Sequence, residues 1–433
     1  MSGPKSSRYT LTAEQRRILE EQRRIEAAKA VANETIKRGI ANLRRLSDLS
    51  QQDNEFAREA IARLGNDSGY SKKIGELDCL VKESEMAASN TDTTNLSSLE
   101  STAKSISENV KKAEQIKREI QKIVSLNEKN LRADIAKTFN ENFSVSFADI
   151  EPKAVDSSKM LIHRKSEISD KIRDVKKNGI ISNELYAELE KAEILTEDIY
   201  DLQFLKNHIS ITVNPLLKRC AEYEELYQAH HEEYEALYSE YTALCGLYHY
   251  VVQEYPFSVE SMSILKEEIE RIKITAEQQS EKAYIQQALD EVMKDMGYCV
   301  LGSREVTKRN GTKFHSELYT FGEGTAVNVT YSPDGRIAME LGGLDNIDRI
   351  PNDTESAVLC GEMQDFCDDF KEIEKRLLAK GVIVAEHISM FPPDVAYAQI
   401  INTSDYDMQL QTSSFNTESH RGKAAEKKKM KVE

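Results

Sequence analysis

Basic residues recur in pairs near the start of this chain. Arg16-Arg17, Arg23-Arg24, Lys37-Arg38 and Arg44-Arg45 stand at seven-residue spacing, with Ala30-Val31 in the one skipped repeat. Seven residues are close to two helical turns, so on a helix each pair lies about 10.5 Å beyond the last along one side. Such a ladder can track phosphates, giving salt-sensitive binding without sequence preference. It can also meet carboxylates on a partner helix and fix register and orientation. Glu14, Glu20, Glu21 and Glu26 are interspersed, which favours the interhelical or solvated reading over nucleic acid. No aromatic residue interleaves with the arginines, which argues against single-stranded nucleic acid.

A second set is aromatic. Cys220, Tyr223, Tyr227, Tyr234, Tyr238, Tyr241, Cys245 and Tyr248 follow steps of 3, 4, 7, 4, 3, 4 and 3, a heptad seam built from tyrosine. Each ring can be buried while its hydroxyl seeks a partner, so the seam suits a wet helix interface. Packing within the chain is the first expectation, and a docking groove for a partner helix is the second.

The remaining clusters are weaker. Glu362, Asp365, Asp369 and Glu372 line one helix edge with Asp368 beside them, but no acidic loop at metal-loop spacing accompanies them. His230-His231-Glu232-Glu233 contains neither Glu-x-x-His nor His-Glu-x-x-His. Cys360 and Cys367 fall beside an apolar stripe and read as small core residues. Gly322-Glu323-Gly324 lacks the third glycine and the helix of a dinucleotide site, and there is no P-loop lysine motif or Gly-x-Ser-x-Gly. No catalytic residue, metal ligand or cofactor is expected.

Long helices must position these groups. Across 433 residues there are only 18 glycines and 8 prolines, with no proline between Lys5 and Glu151. An all-β first half, which needs frequent turns, is thereby excluded. Thr12 and Gln15 form a capping box ahead of Ala13. An apolar stripe through Ile18, Ile25, Ile36, Leu43, Leu46, Phe56, Ala60 and Leu64 then predicts one helix as far as Gly65, Asp67 and Gly69. Further helices are expected over Lys72–Ala88, from a Ser97/Glu100 capping box to about Phe139, up to Lys177, from Ser182 to about Asn207, and from Pro215 to about Tyr255.

After Pro256 the pattern changes. A helix from Val259 to Met296 precedes period-two alternation in Val300–Lys308, Lys313–Phe321, Ala326–Tyr331 and Arg336–Leu341, joined at Asn310-Gly311 and Pro333-Asp334-Gly335. A helix over Thr354–Lys380 and a strand over Val382–Ile388 follow.

The fold class expected is mostly α: an elongated antiparallel coiled-coil or helical bundle, then a small C-terminal α+β domain with an antiparallel sheet. In detail, residues 1–12 read as a disordered N-terminus and 13–142 as long antiparallel helices forming a coiled-coil stalk. Residues 143–257 read as a helical region with the tyrosine-rich helix, 258–400 as the α+β domain, and 401–433 as a disordered, basic-ended tail.

Net charge is −16, yet residues 1–45 hold eleven Lys/Arg against five Glu, and residues 419–433 hold six against two. Both ends are basic and the body is acidic. With six cysteines in no CxxC spacing and no run of eighteen apolar residues, a cytoplasmic, membrane-free protein is expected. The function expected is a non-enzymatic scaffold or adaptor subunit that binds protein partners or its own copies. Binding of a phosphate backbone through the Arg/Lys ladder and basic tail is the alternative.

Overall fold

The computed structural model describes residues 3–52, 69–143, 155–307 and 313–408. The chain is mostly helical, with an antiparallel sheet built mainly from its C-terminal third. It divides into a helical unit, Ile25–Ile272, and an α+β unit, Met1–Arg24 with Lys273–Glu433.

Among the described residues eight α-helices precede the sheet strands of the C-terminal third: α1 (Ala13–Gln52), α2 (Tyr70–Ser89), α3 (Leu96–Phe143), α4 (Val155–Asn178), α5 (Asn183–Glu197), α6 (Leu202–His208), α7 (Asn214–Leu247) and α8 (Val259–Asp295). In the helical unit the α1 stripe, Ala32, Ile36, Leu43 and Leu46, is buried against Leu77 of α2 and Leu99, Ala103, Ile106 and Ala113 of α3. A Cβ at Gly39 would stand 2.5 Å from the Ile106 Cγ2, so glycine permits this close approach of α1 and α3. Phe56, Ala60, Leu64, Gly65 and Asp67 lie outside the described residues.

Three expectations about helix ends are corrected. The cap of α3 is Asn95, whose Oδ1 accepts from the Ser97 and Ser98 amides at 3.0 and 3.4 Å, two residues ahead of the expected box. The segment from Ser182 to Asn207 is two helices: Ser182 caps α5, and Asp201 accepts from the Phe204 amide at 2.7 Å to start α6. A π-turn, Ile209–Val213, joins α6 to α7. Pro215 offers no N–H, so the hydrogen-bond ladder must adjust just ahead of it. Finally, α7 ends at Leu247, not Tyr255. His249 adopts a left-handed φ of 59°, and residues 250–257 return along α7.

In the α+β unit, strands β2 (Val300–Thr307), β3 (Lys313–Gly322), β4 (Thr325–Tyr331) and β5 (Arg336–Asp345) form an antiparallel meander. Helix α9 (Asp353–Ala379) leads to β6 (Val382–Met390). The stretch expected to be a disordered N-terminus is instead strand β1 (Lys5–Leu11), inserted between β5 and β6 and antiparallel to both. Its inward residues, Lys5, Ser7, Tyr9 and Leu11, are buried. Two are polar, and that removes the alternation by which a strand is read. The tail expected from residue 401 is also corrected in part. Strands β7 (Ile400–Asn402) and β8 (Asp407–Met408) join the sheet beside β5 and β2. Residues 409–433, with the basic end, lie outside the described residues.

The larger core of the unit lies on one face of the sheet. Ile285, Leu289, Val292 and Met293 of α8 and Leu359, Met363, Phe366, Phe370, Ile373 and Leu377 of α9 cover one sheet face, meeting Tyr319, Val327, Val329, Met339 and Leu341. On the opposite face Leu318 and Ala326 are covered by Ile401 and Tyr406. An Asn352/Glu355 capping box starts α9.

Candidate functional site

A cleft of about 220 Å³ opens at one end of the sheet. Its first wall is α8, where Lys282, Ile285 and Gln286 fall at helical spacing on one face. Its second is the sheet, through Lys313, Phe314 and His315 of β3 and Tyr331 of β4. The rim is the β4–β5 turn. Gly335 at φ 80° lets that turn close, with the Gly335 amide donating to the Ser332 carbonyl at 3.0 Å and the Ser332 amide to the Arg336 carbonyl at 2.8 Å. Lys282 Nζ donates to the Pro333 carbonyl, tying helix to turn.

Three of the lining residues, Gln286, His315 and Tyr331, converge on the Glu317 carboxylate. It accepts from the Tyr319 hydroxyl at 2.7 Å, the Tyr331 hydroxyl at 3.1 Å and the Gln286 amide at 3.0 Å, with His315 Nε2 at 3.2 Å. Burial pushes this carboxyl upward, but the four partners together hold it below the usual glutamate range. Burial, with Glu317 alongside, raises both tyrosine hydroxyls well above the ordinary phenol range, so they remain donors. The His315 ring lies against Tyr331 at 6.0 Å between centroids and 28° between planes. Sequence reasoning missed this site. Its one visible signal is the alternation His315, Glu317, Tyr319 on a strand face that must turn toward the core.

The ladder and seam residues lie elsewhere. In the α+β unit Arg16 reaches Glu281 at 3.4 Å and Arg23 reaches Glu277 at 3.9 Å. In the helical unit Arg38 reaches Glu235 at 2.7 Å and lies over the Tyr238 ring, while Arg44 reaches Glu85 at 2.6 Å. One member of each pair thus meets a carboxylate on a neighbouring helix. The other members, Arg17, Arg24, Lys37 and Arg45, are exposed, Arg24 and Lys37 pairing within α1 with Glu21 and Glu34.

The tyrosine seam is covered by its own chain. Phe257 packs edge-on against Tyr223, Tyr227 and Tyr234. Tyr234 donates to the Tyr255 carbonyl at 2.5 Å, Tyr241 accepts from the Gln253 amide at 3.1 Å, and Tyr238 and Tyr248 pack on the same cluster. His231 is a partner of Tyr227, 3.0 Å from its hydroxyl. Of the acidic row on α9, Asp369 accepts from the buried Tyr298 hydroxyl at 2.6 Å, and Glu372 meets Arg376 and Lys375. Among the described residues no group of three or more His, Cys, Asp or Glu is arranged to hold a metal ion. None of the described helices is long and apolar enough to cross a membrane.

A second groove, about 400 Å³ between α2 and α3, carries Lys73 bridging Glu76 and Glu119 at 3.1 and 2.8 Å. Comparison of the chain with protein-family models, curated proteins and solved structures finds no match.

Proposed function

We propose that this chain is a non-catalytic structural or adaptor subunit of a larger assembly. The helical unit acts as a coiled-coil scaffold that sets spacing and self-association, and the α+β unit recognises a protein or small ligand. One observation supports the recognition role above the rest: the cleft combines apolar lining with a few polar groups, of which Gln286, His315 and Tyr331 are held in place by Glu317. A non-catalytic role is supported by Glu317, whose oxygens are already engaged by four partners and are poorly placed to take a proton from a substrate. Six unpaired cysteines suit a cytoplasmic setting.

A thermal-shift screen of fragments and short peptides against the full chain, with hits located by hydrogen exchange, tests the reading. Hits that protect residues 313–319 and 331–337 support it. A library that gives no hits, or hits confined to other segments, refutes it. Exposed basic residues of α1, among them Arg17 and Arg24 one heptad apart in the α+β unit, favour one second reading, contact with a phosphate backbone. For that reading, affinity for generic duplex DNA must fall steeply with salt; absence of binding in low salt removes it.

A further inference from the structure

We infer that the cleft takes a small organic acid, a carboxylate attached to one flat ring; the inference rests on the cleft being a recognition site. Charge supplies the first argument. Lys282 and Lys313 line the cleft, and among the described residues neither meets a carboxylate. The bond from Lys282 to the Pro333 carbonyl holds its ammonium at the rim. Arg336 adds a third cation, with Asp334 2.6 Å from its Nε. The lining offers one carboxylate in return, Glu305, which is exposed and opposite His315 in the β2–β3 register. Glu317 is spent on its own donors, so the excess positive charge is left for a ligand.

Shape supplies the second argument. Phe314, Tyr331 and Ile337 give the cleft an apolar half, and Tyr331 with His315 offers ring faces and edges that suit an aromatic guest. About 220 Å³ falls short of the roughly 300 Å³ at which drug-sized pockets begin. A nucleotide is therefore too large, and a single ring with one anionic group matches the space.

The test titrates phenylacetate, its neutral amide phenylacetamide and inorganic phosphate into the full chain by calorimetry. Phenylacetate should bind at least tenfold more tightly than either control. Lys313→Met should weaken it at least tenfold, and so should Lys282→Met, while Arg17→Ala, outside the cleft, should leave it unchanged. Equal binding of the amide overturns the anion requirement but leaves the cleft a recognition site. Phosphate binding as tightly as phenylacetate overturns the ring requirement, and insensitivity to both lysine substitutions overturns the placement. Heat from none of the three overturns the inference, whereas the fragment screen alone decides the broader reading.

Discussion

Replacing Lys5 by methionine should stabilise the α+β unit at neutral pH, although it deletes a charge from a natural strand. Lys5 is 2% exposed, with its ammonium 4.1 Å from the Phe370 ring and 4.9 Å from that of Phe366. Burial lowers its pKa from 10.5 to about 8, partly countered by Cys367 and Glu374. At 1.36 kcal/mol per pH unit this difference costs about 3 kcal/mol of folding free energy at pH 7. The ring contacts return about 1–2 kcal/mol, and methionine keeps most of the stem's packing, so Lys5→Met should gain about 1–2 kcal/mol. The sign in pH follows from linkage. Between about pH 8 and 10.5 the unfolded chain binds the proton more tightly than the folded one, so wild-type stability rises across that window. The methionine variant lacks the rise, and its advantage should shrink as pH climbs. Urea unfolding at pH 7 and 9.5, followed by pulsed hydrogen exchange of peptides covering β1 and β6, reads both effects. A variant less stable than wild type at pH 7, or an advantage independent of pH, would refute the reasoning.

Glu317→Leu should destabilise the α+β unit by about 3 kcal/mol or more, because Tyr319, Tyr331 and Gln286 lose a buried acceptor together, and Glu317→Gln by about half as much. Thermal unfolding checks this. Since the folded-state pKa of Glu317 is depressed, its contribution is complete above the ordinary 4.5 and fades as pH falls through the lower folded value, so the Gln variant should show a flatter acid limb. Arg38→Ala should cost about 1–2 kcal/mol, having both Glu235 and the Tyr238 ring as half-buried partners. Arg17→Ala should stay within about 0.5 kcal/mol, and equal melting shifts for the two would mean that the ladder is solvated throughout. Phe257→Ala should cost the helical unit about 3–4 kcal/mol and raise the hydrogen exchange of residues 250–257, since three tyrosine rings lose their common neighbour.

What could be read of the fold follows from which periodicities survive in the residues. The α9 stripe from Leu359 to Leu377 is wholly apolar, and every member is buried as its spacing demands. The Pro333-Asp334-Gly335 turn announces itself through a glycine that must take positive φ. By contrast, β1 turns a lysine and a serine inward, and residues 400–408 bury only Ile401 and Tyr406 among polar neighbours. Both stretches are added to a sheet whose other strands supply the apolar area. Their own composition can therefore be polar, and a local reading takes them for disorder.

The cleft was hidden for a related reason. Ladder and seam are periodic along single helices, and periodic residues serve chiefly to hold helices together, as Arg38 with Glu235 and Phe257 among the tyrosines illustrate. The cleft is assembled across elements. His315, Glu317 and Tyr319 alternate along β3, but Gln286 and Tyr331 share no spacing with them, and only the antiparallel register of β3 with β4 and the hydrogen bond from α8 bring five polar groups to one point. Burying a carboxylate there is unfavourable unless all its partners arrive together. That makes Glu317 a fixed point of the α+β unit, its oxygens satisfied from β3, β4 and α8 at once.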